Sequence, residues 1–358
     1  MKDSRILQIN GSEKSGSGTI VRDAVLFSVL SKKALKLDNI RSKRQKPGLR
    51  PQHLKVLEAA SEICGGKLTG ASVGSSVIGF YPGKNISGGR FTFDIGTAGS
   101  ATMLALCILP LGLFAQSPST YRIIGGLFQD FAPSAFHLTD VLLSLIQKMG
   151  ADIEINIVRP GYVPKGNGVL EIRISPLKKK LSPIILTDQG KILSIKGYSL
   201  SSHLEKRKVS ERMADECRKH LEASGFKTNI RILNDNKDTP VYEKTAVQSG
   251  AALAIWAQTD TGCMIGADMA GALRRSAEFI GNTVARNLME DIETGACSDR
   301  FLSDQLIPFA ALAQGISKIR IPAMTDHIDA RLWLAETILG AKTQINGNEI
   351  QVEGVGYL

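Results

Sequence analysis

One pattern recurs three times along this chain, and it limits the available folds more than any other feature. A short apolar strand, Ile6–Ile9, leads to a helix-period stretch, Ile20–Leu30, and then to a strand, Ala34–Ile40, that alternates apolar and polar residues. A second helix, Gln52–Cys64, stops at Gly65-Gly66, and two strand-like pieces end near Tyr81. The second copy has helix Ala98–Leu109, strand Thr120–Ile124, helix Ala135–Met149, a stop at Gly150, and strands Ile153–Val158 and Val169–Ser175. The third has helix Asp304–Ala313, strand Lys318–Ile321, helix Asp329–Leu339, a stop at Gly340, and strands Thr343–Ile345 and Glu349–Glu353. Period-3.6 and period-2 patterning alternating in this order predicts α/β units. Glycine closing each second helix supplies the left-handed residue that a helix end favours. The spacing is far too long for a solenoid, so the expected fold is α/β of the α+β kind: three αβαββ units packed pseudo-symmetrically, with helices over small sheets.

The region between the second and third copies breaks the pattern. After the basic exit Lys178-Lys179-Lys180, strands are expected over Leu186–Ile195, Lys196–Leu200, Lys227–Leu233 and Ala251–Ala257, with an amphipathic helix over Ser210–Ser224. The division that follows is a large domain of residues 1–183 and 276–358, with a smaller α/β domain inserted at 184–275. Helix Ser276–Ile292 is expected to lead back into the large body.

Charge narrows the partners. Lysine and arginine number 44 against 34 acidic residues, a net charge of +10, which points to a polyanion, nucleic acid ahead of anionic membrane. The most apolar run, Met103–Ala115, is too short to span a bilayer and is interrupted by Pro110 and Gly112, so no membrane role is expected. Met1–Arg5 carries no secretory signature. The five cysteines are scattered without a CxxC pair, which disfavours a disulfide framework or a zinc site and makes a reducing cytoplasm the expected location.

The charge concentrates in Arg41-Ser42-Lys43-Arg44-Gln45-Lys46-Pro47-Gly48-Leu49-Arg50-Pro51-Gln52-His53, a connection stiffened by Pro47 and Pro51. Guanidinium forks on a stiff loop suit phosphoryl oxygens, although a merely solvated basic loop has the same composition. The Gly/Ser turn Gly11–Gly18 leaves a strand and opens a helix, where free backbone N–H groups stabilise anions. It matches neither a Walker loop nor a dinucleotide fingerprint.

These stretches carry a resemblance. Arg41–His53, together with Phe93-Asp94-Ile95-Gly96-Thr97-Ala98-Gly99-Ser100, Ala132-Pro133-Ser134, Thr261-Gly262-Cys263, Ser303-Asp304-Gln305-Leu306 and Thr325-Asp326-His327, resembles the RNA 3'-terminal phosphate cyclase family almost end to end. The resemblance implies a fold of repeated βαβαββ units packed as a large domain with one smaller inserted α/β domain, and ATP-dependent closure of an RNA 3'-phosphate into a 2',3'-cyclic phosphate. A histidine takes AMP from ATP with help from Mg2+ or Mn2+, AMP passes to the RNA 3'-phosphate, and the neighbouring 2'-OH expels it. By motif position the nucleophile is His327. Phosphate and RNA contacts carry over to Arg22, Arg41, Arg44 and Gln52. Nucleotide contacts carry over to Asp304, Gln305, Ser15 and Gly16, with Phe301 and Pro133 flanking the adenine. Imidazole suits the role because its ordinary pKa near 6.5 leaves it largely unprotonated at neutral pH. His53 reads as a helix cap, and His137, His203 and His220 show no partner pattern.

The departures are specific. The family loop Gly-Glu-Gly-Gly-Gly-Gln is here Lys14-Ser15-Gly16-Ser17-Gly18-Thr19, so a serine replaces a glutamate associated with the metal, leaving Glu13 as the candidate ligand. Leu127-Phe128-Gln129, Leu200–His203 and Ala330-Arg331 also differ, the last standing where Thr-Asn is common. An altered loop beside an intact nucleophile leaves an alternative: a catalytically weakened, cyclase-like RNA-binding or ribosome-assembly scaffold. An enolpyruvyl-transferase relative built of similar repeats is a third possibility, which would need no histidine nucleophile.

Overall fold

The computed structural model describes residues 6–358; Met1–Arg5, read above for a secretory signature, lie outside the described residues. Three four-stranded sheets share one topology. In the first, β1 (Leu7–Asn10) runs parallel to β2 (Leu35–Asp38), which pairs antiparallel with β4 (Ile78–Tyr81), itself antiparallel to β3 (Lys67–Thr69). The second repeats this with β5 (Gly89–Asp94), β6 (Ser119–Gly125), β8 (Gly168–Ser175) and β7 (Asp152–Arg159). The third does so with β9 (Ile185–Leu186), β14 (Gln314–Arg320), β16 (Glu349–Val355) and β15 (Lys342–Asn346). The repeats expected from the pattern are therefore present.

Inside these sheets lie the first helices of the units. α1 (Gly18–Ser31) is buried from Gly18 through Leu30, α3 (Ala101–Leu113) is buried along nearly its whole length, and α8 (Ile307–Leu312) is buried throughout. A helix apolar on all sides is stable only where neighbours cover all of it. The second helices cover them: α2 (Pro51–Cys64), α4 (Leu143–Lys148, entered through a wide turn at His137–Leu142) and α9 (Asp326–Leu334). α2 ends as expected at Gly65 (φ 61°), and the wide turn Ala335–Leu339 that continues α9 ends at Gly340 (φ 82°), both in the left-handed region where a side chain is strained.

The middle region forms the fourth sheet. β10 (Ile192–Ser202) lies between β11 (Thr228–Asp235), parallel, and β12 (Gly250–Thr259), antiparallel, with β13 (Met264–Ala270) beyond β12. α5 (Val209–Ala223) and α6 (Ala277–Glu293) share a separate apolar cluster with this sheet, including Met213, Leu221, Leu253, Ile255, Ile280 and Leu288.

Three expectations are corrected. Leu186–Ile195 is not one strand: Ile185–Leu186 belongs to the third repeat as its opening strand, and the next strand starts at Ile192. The middle region thus interrupts the third unit after its first strand. Helix α6 does not return to the large body; its apolar face packs on α5, β12 and β13. The helix expected over Asp304–Ala313 is split into α7 (Leu302–Gln305) and α8, with Pro308 in the first turn of the latter. Strand β13 was not foreseen because Met264–Ala270, buried on both faces over much of its length, lacks alternation. No described helix is long and apolar enough to cross a membrane, and all five cysteines are free.

Candidate active site

His327 stands in the first turn of α9, after Thr325, whose side chain accepts from the Ile328 N–H and caps the helix. Its Nδ1 is 3.0 Å from the Thr19 hydroxyl in the first turn of α1, 308 residues away in sequence. Thr19 is fully buried, and the Arg22 guanidinium donates to the same hydroxyl oxygen at 3.0 Å. α1 is capped by Ser17, which accepts from the Thr19 N–H at 3.2 Å and meets the Ser15 hydroxyl at 2.9 Å. The positive end of α1 is therefore presented beside the imidazole.

Two glycines let the opening loop lie so close to its neighbours. Gly16 has φ 51° and lies under the Lys43 side chain. A Cβ on Gly18 would come within 2.2 Å of His53 Nε2. His53 itself is structural, as expected: its Nδ1 accepts from the Arg50 N–H at 3.2 Å at the start of α2. Burial, with Arg22, Arg41 and Arg50 nearby, pushes its pKa down to about 3.

The arginines divide into two groups. Arg22 is buried under Thr19. Arg44 reaches the Ser15 carbonyl at 3.4 Å and is close enough to disfavour a proton on His327. Arg41 is directed elsewhere: its Nη1 donates to the carbonyls of Lys46 and Gly48, both at 2.8 Å, so it braces its own loop. Gln52 accepts from the Ser100 N–H at 3.3 Å, tying the basic loop to the Ile95–Ser100 segment.

A buried charge cluster underlies the histidine. Arg331, one turn along α9, places Nε 3.3 Å from a carboxylate oxygen of Asp23 and 3.3 Å from one of Asp304. Arg331 and Asp23 are almost fully buried, and neither Arg331 Nε nor Asp23 Oδ2 completes a hydrogen bond. Burial raises the Asp23 pKa although Arg331 and Arg22 oppose it. The His327 pKa is lowered, first by loss of water on the packed side of the ring and then by Arg22, Arg331 and Arg44, while Asp304 acts in the opposite sense. The imidazole is thus biased toward its neutral, nucleophilic form.

Next to Asp304 in α7, Gln305 is buried, and its Oε1 has no partner. Phe301 is 42% exposed at the start of this helix, and Pro133 is buried with its carbonyl accepting from Thr102 Oγ1 at 2.7 Å. Their segments are joined by a buried contact in which His137 Nε2 lies 3.0 Å from an Asp299 oxygen. Asp299 also accepts the N–H groups of Gly266, Phe301 and Leu302. His137 therefore does have a partner, contrary to expectation, as do His203 (the Ala246 carbonyl) and His220 (Glu216 and Asn282).

Glu13 does not make a metal cage. It is exposed and accepts from Asn10 Nδ2 at 3.2 Å, and among the described residues no three His, Cys, Asp or Glu side chains gather to hold an ion. Hard divalent cations require several oxygen ligands, which this donor set does not supply by itself.

Thr19, Asp23 and Arg331 were not anticipated as part of the site. Thr19 and Arg331 both fall at positions where the sequence departs from the family pattern, and this was the one signal available.

The comparisons agree with the motif. The family described as RNA 3'-terminal phosphate cyclase matches residues 13–345. A protein of Staphylothermus marinus called RNA 3'-terminal phosphate cyclase is 34% identical, covering 98% of this chain and 99% of its own. Relatives of the same name from Archaeoglobus fulgidus (33% identical, 97% of this chain and 100% of its own) and Pyrococcus furiosus (32%, 95% and 95%) also align over nearly their whole length. A solved enolpyruvyl transferase from Streptomyces tendae aligns over 98% of this chain and 51% of its own at 12% identity, and its TM-score of 0.26 carries no argument. With the family model matching residues 13–345 and relatives aligned almost from end to end, the chain belongs to the RNA 3'-terminal phosphate cyclase family.

Proposed function

We propose that this protein is an ATP-dependent RNA 3'-phosphate cyclase that works through a covalent AMP on His327 Nε2. The observation that carries the reading is the Arg22–Thr19–His327 chain. For Nε2 to attack the α-phosphorus its lone pair must be free, so the ring proton belongs on Nδ1 and is donated to Thr19 Oγ1. Thr19 has two lone pairs: one takes this proton and the other takes the Arg22 N–H. The lowered His327 pKa favours the neutral ring, and a doubly protonated ring cannot attack.

Arg44 and the amino end of α1 then stand beside the phosphates, where positioning and charge stabilisation supply most of the catalysis of phosphoryl transfer. The unpartnered Gln305 Oε1 is an acceptor suited to a nucleotide donor group. Pyrophosphate leaves as the histidyl–AMP bond forms, AMP moves to the RNA 3'-phosphate, and attack by the adjacent 2'-OH releases AMP and closes the ring. The donor set does not fit a protein-built divalent centre, so no step is assigned to a metal. Incubation with α-labelled ATP should give an acid-labile AMP adduct that His327→Ala abolishes. An undiminished adduct in that variant would overturn the reading.

A further inference from the structure

Away from His327, a cavity of about 560 Å³ opens where the middle sheet meets the second repeat. Its apolar floor includes Leu204, Val209, Ala251 and Ile280. Four arginines line it, Arg207, Arg212, Arg274 and Arg275, and no carboxylate does. Two of the four are already engaged: Arg212 forms a two-point pair with Glu278 at 2.7 and 3.0 Å, and Arg275 does the same with Asp130 at 2.9 Å twice. Arg207 and Arg274 are exposed and have no acidic partner among the described residues. The backbone at the rim is strained: Arg274 has φ 65° and Lys208, next to Arg207, has φ 49°. Such left-handed residues gather at ligand clamps, where the surrounding structure holds them in place.

We propose that this cavity receives one nucleotide of the substrate RNA upstream of the reacting end, with the base on the apolar floor and its phosphates held by Arg207 and Arg274. The volume lies in the range of small-molecule sites. An apolar floor with a guanidinium rim matches the two halves of a nucleotide, since a guanidinium both binds phosphate and stacks on a base. The position fits as well. Arg275 anchors Asp130, and the Ser134 N–H donates to Asp268 of β13 at 2.7 Å, so the segment carrying Pro133 is fastened to one wall of the cavity. The inference rests on RNA being the substrate and extends that reading to the body of the chain.

The test compares a nucleoside 3'-phosphate, which has no upstream nucleotide, with a 3'-phosphorylated RNA of about ten nucleotides, using fluorescence anisotropy for binding and product formation for cyclisation. In the double variant Arg207→Gln/Arg274→Gln, loss of two phosphate contacts on a single strand should reduce the salt slope of ten-mer binding by about 1.4. That corresponds to about 25-fold weaker binding at 0.1 M salt, vanishing near 1 M. Ala272→Trp, at an exposed lining position, should weaken ten-mer binding with the charges intact. Cyclisation of the nucleoside 3'-phosphate should be unchanged in both variants. Ten-mer binding equal to wild type in both would overturn the subsite, as would loss of free AMP binding with ten-mer binding preserved. If wild type cyclises nothing but the variants still lose ten-mer affinity, the enzymatic reading fails and the subsite stands.

Discussion

Replacing Arg331 with leucine probes the least expected part of the site. Arg331 is buried between Asp23 and Asp304, and removing one partner of a buried ion pair typically costs about 3–5 kcal/mol. The lower end applies, because Arg331 Nε completes no hydrogen bond with either carboxylate and the variant also avoids burying a guanidinium. An upper bound comes from Asp23, which can escape by taking a proton. From an ordinary pKa of 3.8, protonation costs about 4 kcal/mol at pH 7 but only about 1.6 kcal/mol at pH 5. The sign is fixed by burial. A carboxyl whose folded pKa is raised works against the fold as pH climbs through that pKa, and loss of Arg331 enlarges the effect. Arg331→Leu should therefore lose about 3 kcal/mol at pH 7 and no more than about 1.6 kcal/mol at pH 5, read from urea denaturation midpoints. Asp23→Asn added to it should restore most of the loss. A deficit below about 1 kcal/mol at pH 7, an equal deficit at both pH values, or no recovery in the double variant would refute the reasoning.

Three further outcomes follow from the same geometry. Thr19→Val removes the acceptor for His327 Nδ1 and should slow AMP-adduct formation by about 10²-fold, the scale of a misoriented nucleophile, while Thr19→Ser should retain most of the rate. The acid limb of adduct formation should lie below pH 6.5; Asp304→Asn should move it lower and Arg44→Ala should move it higher, as read from rate-against-pH profiles. His53, held near 3 when folded, takes up a proton on unfolding below pH 6.5, so its contribution is complete above that value and lost as pH falls. About 2 kcal/mol should disappear between pH 6.5 and 5 in wild type but not in His53→Gln, measured by urea midpoints at each pH.

Much of the scaffold was legible along the chain. The alternation in Leu35–Asp38, the helical spacing in Pro51–Cys64 and the glycine stops at Gly65 and Gly340 are properties of a few consecutive residues, and burial rewards them wherever the unit docks. Ile185–Leu186 is too short to carry a period in sequence and is defined as a strand only by pairing with β14. Helix α6 was recognised but sent to the wrong body, since an apolar stripe shows that a helix has a buried face and not which cluster will bury it.

The site divides in the same way. The motif identified His327, and the basic loop identified the arginines as a group, but nothing local distinguished Arg41, which braces its own turn, from Arg44, which faces the histidine. The repeated units, the capped helices and the cationic connection were determined by the sequence itself, because patterning, glycine and proline act over a handful of neighbouring residues. Only tertiary structure decided that Thr19 and Arg22 would meet His327 and that Arg331 would lie between Asp23 and Asp304. Those contacts depend on how the first and third units dock, and buried polar groups must find whatever partners that docking brings within reach.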